Sequence, residues 1–299
     1  MAAYQKVALL GKGWLGTAVV EQLAKSGFSV TVLTRSRASV KDIPSGVSIA
    51  EVNYDSPESV TSALKGQDVL VNTVGTEAIA GQKPIIDAAV AAGVKRYVPA
   101  DYGSCTTDPE AQKLPVIMPM ADIQNYLKEK AGEGKIEWTV FQTGAFLDMI
   151  VGLVPFAFDP ATKSIQWYDD GETRISTTTS GTIGKAIAGA LKKPEETKNR
   201  VVFVHDIVVT QKRLVELAKK NIASGPEWTE TEVNTSEEIQ RTLNLMKQGK
   251  SDLMTGMAQL KAAIFSGKYR VLYEKTDNEL LGLGSFSEED LEALVATNL

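Results

Sequence analysis

The chain has 299 residues, 43% hydrophobic and 23% charged, with a formal net charge of −5. This predicts an ordinary globular protein of one large or two small domains, and it argues against nucleic-acid or anionic-membrane partners, which favour a basic face. With Cys105 as the one cysteine and His205 as the one histidine, no intrachain disulfide, no Cys/His metal cluster and no Ser-His-Asp triad without His205 can form. The apolar stretch after Lys6 is too short for a signal-peptide core, and no run of about 18 apolar residues follows, so a cytoplasmic protein without membrane contact is expected.

From the amino end, the apolar run Val7-Ala8-Leu9-Leu10 leads into Gly11-Lys12-Gly13-Trp14-Leu15-Gly16, and an amphipathic helix pattern over 17–25 follows. A strand, then Gly-x-Gly-x-x-Gly, then a helix is the dinucleotide fingerprint. Gly11 permits the tight turn, Gly13 lets a pyrophosphate approach the backbone, and Gly16 lets the helix pack on the strand. The helix start offers free N–H groups and a positive dipole end. The competing reading is a glycine-rich turn with no ligand.

The next strand, 29–34, ends where an NAD-selective site places Asp or Glu for the ribose 2′-hydroxyl. Here the sequence is Thr34-Arg35-Ser36-Arg37. Arg35 offers a planar fork suited to phosphate, with Ser36 beside it, so NADP(H) is the expected cofactor. The alternative is that Arg35 and Arg37 are solvated loop charges.

A third strand covers 47–52. Ser56 then caps a helix through residue 64, with Pro57 at its first position and Glu58 in its first turn. A buried strand spans 68–74 and meets Gly75; a helix over 83–92 closes on Gly93; a fifth strand covers 96–100. Such alternation predicts an α/β fold, a Rossmann-like doubly wound parallel sheet. Ligands sit beyond the carboxyl ends of such strands, so the glycine turn, Arg35, Thr73-Val74-Gly75 and Asp101-Tyr102-Gly103 converge on one crevice.

Residues 104–119 read as a loop, 120–130 as a helix and 137–142 as a sixth strand. Beyond about 145 the alternation breaks. Residues 145–158 are strongly apolar, Asp169-Asp170-Gly171 marks a turn between two strand-like pieces, 180–191 reads as a helix and 200–204 as a strand. Late helices cover 236–247 and 252–265. The division predicted is a dinucleotide-binding domain over 1–145, to which parts of 180–210 return, and a smaller C-terminal-weighted substrate lobe over 146–299.

Several of these pieces together carry a resemblance: the fingerprint, Arg35 after the second strand, Lys95-Arg96-Tyr97-Val98-Pro99-Ala100-Asp101-Tyr102-Gly103, the run from Trp138 to Phe146, and Asp170-Gly171-Glu172-Thr173-Arg174-Ile175-Ser176. The chain resembles the isoflavone reductase-like/NmrA-like family of atypical short-chain dehydrogenases, in its fungal style, most firmly over residues 5–190. The resemblance implies a Rossmann domain, NADPH, and often reduction of small aromatic or heterocyclic natural products. Some members instead bind the dinucleotide as regulators and catalyse nothing. The family's reductases carry a Lys at the start of the helix placed here at 120–130. Aligned on Ile123 and Tyr126-Leu127, that position holds Met120, whose thioether has no proton to give.

Hydride transfer belongs to the cofactor; the protein orients substrate and manages a proton. Asp101 either protonates or electrostatically stabilises a cationic imine, or else caps a loop. Tyr102 donates its phenol proton or lines the pocket. Tyr126 faces Asp122 one helical turn away and is the third catalytic candidate; with Lys130 it also matches a Tyr-x-x-x-Lys spacing, which the family alignment places beyond the catalytic position. Met120, Phe146, Met149, Ile150, Trp167 and Tyr168 are the candidate pocket wall, with core packing as the rival for each. His205 is a natural proton shuttle, but its register places it in the far lobe. The expectation is reduction of a polarised C=N or C=C bond in a small aromatic or heterocyclic molecule, or a redox-neutral rearrangement because of Met120. The alternative is a non-catalytic NADP(H) sensor. No metal is expected, and the oligomeric state stays open.

Overall fold

The computed structural model describes residues 4–222 and 227–299. Its first half alternates strand and helix: β1 (Lys6–Leu10), α1 (Trp14–Lys25), β2 (Ser29–Thr34), β3 (Ser48–Glu51), α2 (Pro57–Leu64), β4 (Val69–Asn72), α3 (Gln82–Ala92), β5 (Arg96–Val98), α4 (Met118–Gly132) and β6 (Glu137–Gln142). Thereafter come β7 (Ala145–Phe146), α5 (Leu147–Ile150), β8 (Ser164–Tyr168), β9 (Ile175–Thr178), α6 (Ser180–Lys192), α7 (Pro194–Thr197) and β10 (Arg200–Phe203). The chain ends with β11 (Ile207–Val209), α8 (Gln211–Asn221), β12 (Thr229–Val233), α9 (Thr235–Lys247), α10 (Leu253–Phe265) and α11 (Glu288–Asn298).

Seven strands form one parallel sheet in the order β10-β6-β5-β4-β1-β2-β3. Because successive side chains of a strand point to opposite faces, β1 feeds two cores. Val7 and Leu9 pack with Val19, Val20 and Leu23 of α1 and with Ile183 and Ile187 of α6. Ala8 and Leu10 pack with Val60 and Leu64 of α2, Ile86 of α3, and Ile123 and Leu127 of α4. Burial on both faces explains why these strands read as continuous apolar runs. The expected cap on α2 forms: Ser56 accepts a hydrogen bond from the Ser59 N–H. Gly93 closes α3 in the left-handed conformation at φ 80°. The order reverses between β4 and β1, which puts the ligand crevice over their carboxyl ends.

A third core gathers the later elements, with Ile150, Phe156, Tyr168, Leu214, Phe265 and Leu291 buried together. The expected turn at Asp169-Asp170-Gly171 lies between β8 and β9. The two strand-like pieces around Asp169-Asp170-Gly171 do not pair with each other. β8 runs parallel to β12, whereas β9 lies between β7 and β11. The turn is held instead by Asp169, whose carboxylate accepts from the backbone N–H and hydroxyl of Thr235 at the start of α9. In the 104–119 segment, residues 111–113 form a 3-10 turn, and α4 begins two residues before Met120.

Candidate active site

The glycine turn has the shape the fingerprint demands. Gly11 sits at φ +94°, and a Cβ there would lie 2.8 Å from the backbone of Thr73 and Val74. At Gly16 a Cβ would stand 2.0 Å from the Gly11 carbonyl oxygen. At Gly13 it would meet nothing within 4 Å. The first and third glycines are therefore required by the protein's own packing, and the middle one borders open space. The 12-residue helix α1 begins there with no side-chain cap and no acidic residue in its first turn, so its leading N–H groups are available to an anion. Lys12 reaches across the mouth to the Lys41 carbonyl at 2.6 Å. Thr73 ties β4 to β1 through the Leu10 carbonyl, and Val74 N–H donates to Asn72 Oδ1; Gly75 beyond them is exposed.

At the end of β2, Arg35 and Ser36 are exposed. Arg37 is not equivalent to Arg35: its guanidinium donates to the Ile49 carbonyl and its backbone N–H to Glu51 Oε2. Glu51 is a carboxylate in this region that reading along one strand misses, because it arrives from β3 opposite Thr34. The Tyr54 phenol is pushed up to about 12 by burial, against the pull of the Arg35 charge nearby. These residues fit a dinucleotide: a turn open at Gly13, an uncapped helix start, and an exposed guanidinium just past β2.

On the other side of the crevice, Trp14 of the fingerprint meets Phe146 with ring centroids 5.6 Å apart. The loops after β5 and β6 are fastened together. Thr143 N–H donates to the Gly103 carbonyl, and its hydroxyl to the Tyr102 carbonyl at 2.7 Å. Tyr273, far along the chain, completes the fastening: its hydroxyl accepts from Gly144 N–H at 3.0 Å and donates to the Ser104 carbonyl at 2.6 Å.

Asp101 is buried in a neutral network. Oδ1 accepts from the Thr106 hydroxyl and Oδ2 from the Gln124 amide, each at 2.6 Å. Burial raises its carboxyl above the usual range, opposed by those two donors and the Gly103 N–H. The buried Tyr102 hydroxyl donates to the Asn72 carbonyl at 2.9 Å while its ring lies along Phe141; burial, then the neighbouring Tyr97 and Asp101, drive the phenol far above its ordinary value. Tyr126 is not brought to these two. It turns toward α3, donating to Asp87 at 2.6 Å with the Lys83 and Lys130 ammonium groups over its ring.

The expected pocket wall divides. Met120 is half-buried against the third core, Met149 is half-buried, and the half-buried Phe146 meets Trp14 of the fingerprint. Ile150 is consumed by that core, and so is Tyr168, which stacks on Phe265 at 5.3 Å. Trp167 is held at a distance by its indole N–H to Glu230, since β8 pairs with β12 and not with the crevice strands. Cys105 is buried, its thiol pushed up to about 12 by burial and by Asp108 and Asp101, so it is no ready nucleophile. His205 sits 3.0 Å from the Ser176 hydroxyl with its basicity lowered by burial. A cavity of about 560 Å³ between Tyr4, Lys95, Glu137 and Lys198 opens at the amino ends of β5 and β6, away from the crevice. Among the described residues there is no cluster of three or more His, Cys, Asp or Glu placed to hold a metal, and no helix long and apolar enough to cross a membrane.

A family model described as the NmrA-like family matches residues 4–269. The chain is 32% identical to Oxidoreductase aprR of Aspergillus flavus over 288 residues, covering 93% of this chain and 94% of that one. It is 29% identical to Oxidoreductase poxI of Penicillium oxalicum, covering 95% and 91%. Among solved structures, the ternary complex of leucoanthocyanidin reductase from Vitis vinifera superposes with a TM-score of 0.77 at 19% identity, covering 97% of this chain and 98% of that one.

Proposed function

Because the chain belongs to the NmrA-like family, we propose that it is an NADP(H)-dependent oxidoreductase of the isoflavone reductase type. Its substrate is a small aromatic or heterocyclic molecule with a polarised C=N or C=C bond. The observation that carries this reading is the contrast within the glycine turn: Gly11 and Gly16 are packed against backbone, while Gly13 faces open space beside an uncapped helix. The names of aprR and poxI, each aligned over nearly its whole length, and the NADPH-bound state of the Vitis vinifera reductase support it.

Residues 11–16 and 73–75 would hold the pyrophosphate and the nicotinamide ribose, and Arg35 with Ser36 the 2′-phosphate. Bound there, NADPH supplies a hydride to the substrate. Residues 1–145, with parts of 180–210 (α6 and β10) packed back on the sheet, form the coenzyme half; 146–299 supply most of the substrate half. Phe146 closes over Trp14 and sets the height of an aromatic substrate. Asp101 acts electrostatically, since its oxygens are taken by Thr106 and Gln124. Met120 at the family's Lys position leaves room for a redox-neutral reaction, and a purely regulatory dinucleotide sensor is the rival.

Titration calorimetry with NADPH and NADH tests the reading. Tight binding of NADPH, at least about tenfold over NADH, is expected. No heat with either coenzyme overturns it, and binding without turnover of any aromatic imine or enone favours the sensor.

A further inference from the structure

Resting on that functional reading, we infer that the substrate is an organic cation, an aromatic iminium, which accepts hydride without any proton from the protein. Two independent features lead there. The first is how the hydroxyl protons around the crevice are disposed. Tyr102 gives its proton to the Asn72 carbonyl, Tyr273 to the Ser104 carbonyl, Thr143 to the Tyr102 carbonyl and Thr106 to Asp101. The Cys105 thiol is buried, and Met120 carries a thioether with no proton at all. A neutral enone or ketone that receives a hydride becomes an enolate or alkoxide, and it needs an acid at that moment. Among these described residues the tyrosine and threonine protons are all engaged; what stays unengaged is the buried Cys105 thiol, pushed up to about 12, and the buried Thr107 hydroxyl, both too weakly acidic to serve.

The second feature is a charge. Both Asp101 oxygens act as acceptors, and the Thr106 hydroxyl that donates to one of them itself accepts from Gln142 Nε2. With the bonds directed this way the group is a carboxylate, its donors opposing the upward push that burial exerts on it. Its described partners are neutral, with no Lys, Arg or His among them. A buried carboxylate with neutral partners leaves a negative field that falls off slowly in a low-dielectric interior, and a buried charge without its counterpart is costly. The carboxylate lies just past β5, where the crevice passes into the third core through Cys105. A cationic ligand there is attracted, and an isosteric neutral one is not.

The chemistry balances on that substrate. The iminium carbon gains one hydride, a new C–H bond forms, and the C=N π pair becomes the nitrogen lone pair. The dihydronicotinamide is oxidised to nicotinamide, and no proton is taken up or released.

The test begins with binding. Protein loaded with NADP+ is titrated calorimetrically, in mildly alkaline buffer, with N-methylisoquinolinium and with neutral isoquinoline. The cation should bind about tenfold tighter, and Asp101→Asn should remove most of that preference while NADPH affinity stays within about twofold. If Asp101→Asn does not fold, the wild-type comparison decides alone. Turnover then uses the wild type with NADPH: an N-methyl-3,4-dihydroisoquinolinium salt should be reduced with a solvent deuterium isotope effect near unity, and a neutral aryl enone of similar size should be at least about a hundredfold slower. Equal binding of cation and neutral ligand, no reduction of the iminium, or comparable enone turnover with a solvent isotope effect above about 2, overturns the inference while leaving NADPH binding intact. Failure to bind NADPH overturns the functional reading beneath it.

Discussion

Alanine at Gly16 and alanine at Gly13 should fail in opposite ways. At Gly16 the new Cβ would stand 2.0 Å from the Gly11 carbonyl oxygen and 2.7 Å from Thr73 Oγ1. The first of these is backbone inside the tight turn and cannot swing aside as a flexible side chain does. Overfilling a packed interior costs about 1–3 kcal/mol, and a clash with backbone belongs at the upper end. For a chain of this size about 3 kcal/mol corresponds to a melting temperature lower by roughly 5 °C. At Gly13 the added methyl meets nothing within 4 Å, so the folded chain loses little: a shift under about 1 kcal/mol, as for surface substitutions elsewhere. What Gly13→Ala does is occupy the approach of the pyrophosphate, and NADPH affinity should fall at least about tenfold, or about 1.4 kcal/mol. Differential scanning fluorimetry without coenzyme reads the first effect and calorimetry the second. Unchanged NADPH affinity in Gly13→Ala would show that the phosphates do not lie on this turn. An unchanged melting temperature in Gly16→Ala would refute the packing argument.

Arg35→Ala should weaken NADPH by about 2 kcal/mol, in the range of a charge-assisted hydrogen bond, and leave NADH affinity nearly as it was; equal losses for both, measured by titration, would remove the 2′-phosphate assignment. Met120→Lys should add the missing acid and raise turnover of a neutral aryl enone by about a hundredfold or more, followed as NADPH consumption; no gain would mean that residue 120 does not reach the reacting atoms. Glu137→Gln should flatten the acid side of the stability curve. Burial alone would raise the Glu137 carboxyl, but donors from Tyr4 and Arg96 and the Arg96 charge outweigh it and hold the carboxyl low. A carboxylate lowered on folding stabilises above its unfolded pKa and loses that stabilisation as pH falls through its folded pKa. Urea melts from neutral pH downward should therefore converge for wild type and variant in acid, and parallel curves would refute the assignment.

The first half of this fold is readable in sequence because its signals are local. Several helix ends of the first half announce themselves within a few residues, as Ser56 with Pro57, Gly93 after α3, and the spacing of Gly11, Gly13 and Gly16 show. The second half is not readable in the same way, because distant residues determine it. Asp169 reads only as a turn residue, and that Thr235 takes its carboxylate is visible in the fold alone. Trp167 and Tyr168 look like a pocket wall until β12 and Phe265 claim the strand. Tyr126 has the right neighbours along its helix, but Asp87 on α3 holds its hydroxyl. Elements β11, β12 and α11 carry short or weakly apolar patterns that only packing makes decisive, whereas α8 is legible, with Thr210 as its cap and Leu214, Val215, Leu217 and Ala218 on one face. Tyr273 has no sequence signal; its importance lies wholly in what its hydroxyl reaches.

That hydroxyl constrains how such proteins can diversify. One phenol from the last tenth of the chain grips two loops whose strands lie more than a hundred residues earlier. Grafting a different tail onto this sheet, to swap one substrate preference for another, would disturb the floor on which the coenzyme's reactive ring is expected to rest. Chimeras cut anywhere before residue 273 must therefore import a tyrosine in register or accept loosened loops, so new specificity is reached more readily by changing side chains along the existing tail than by exchanging it whole.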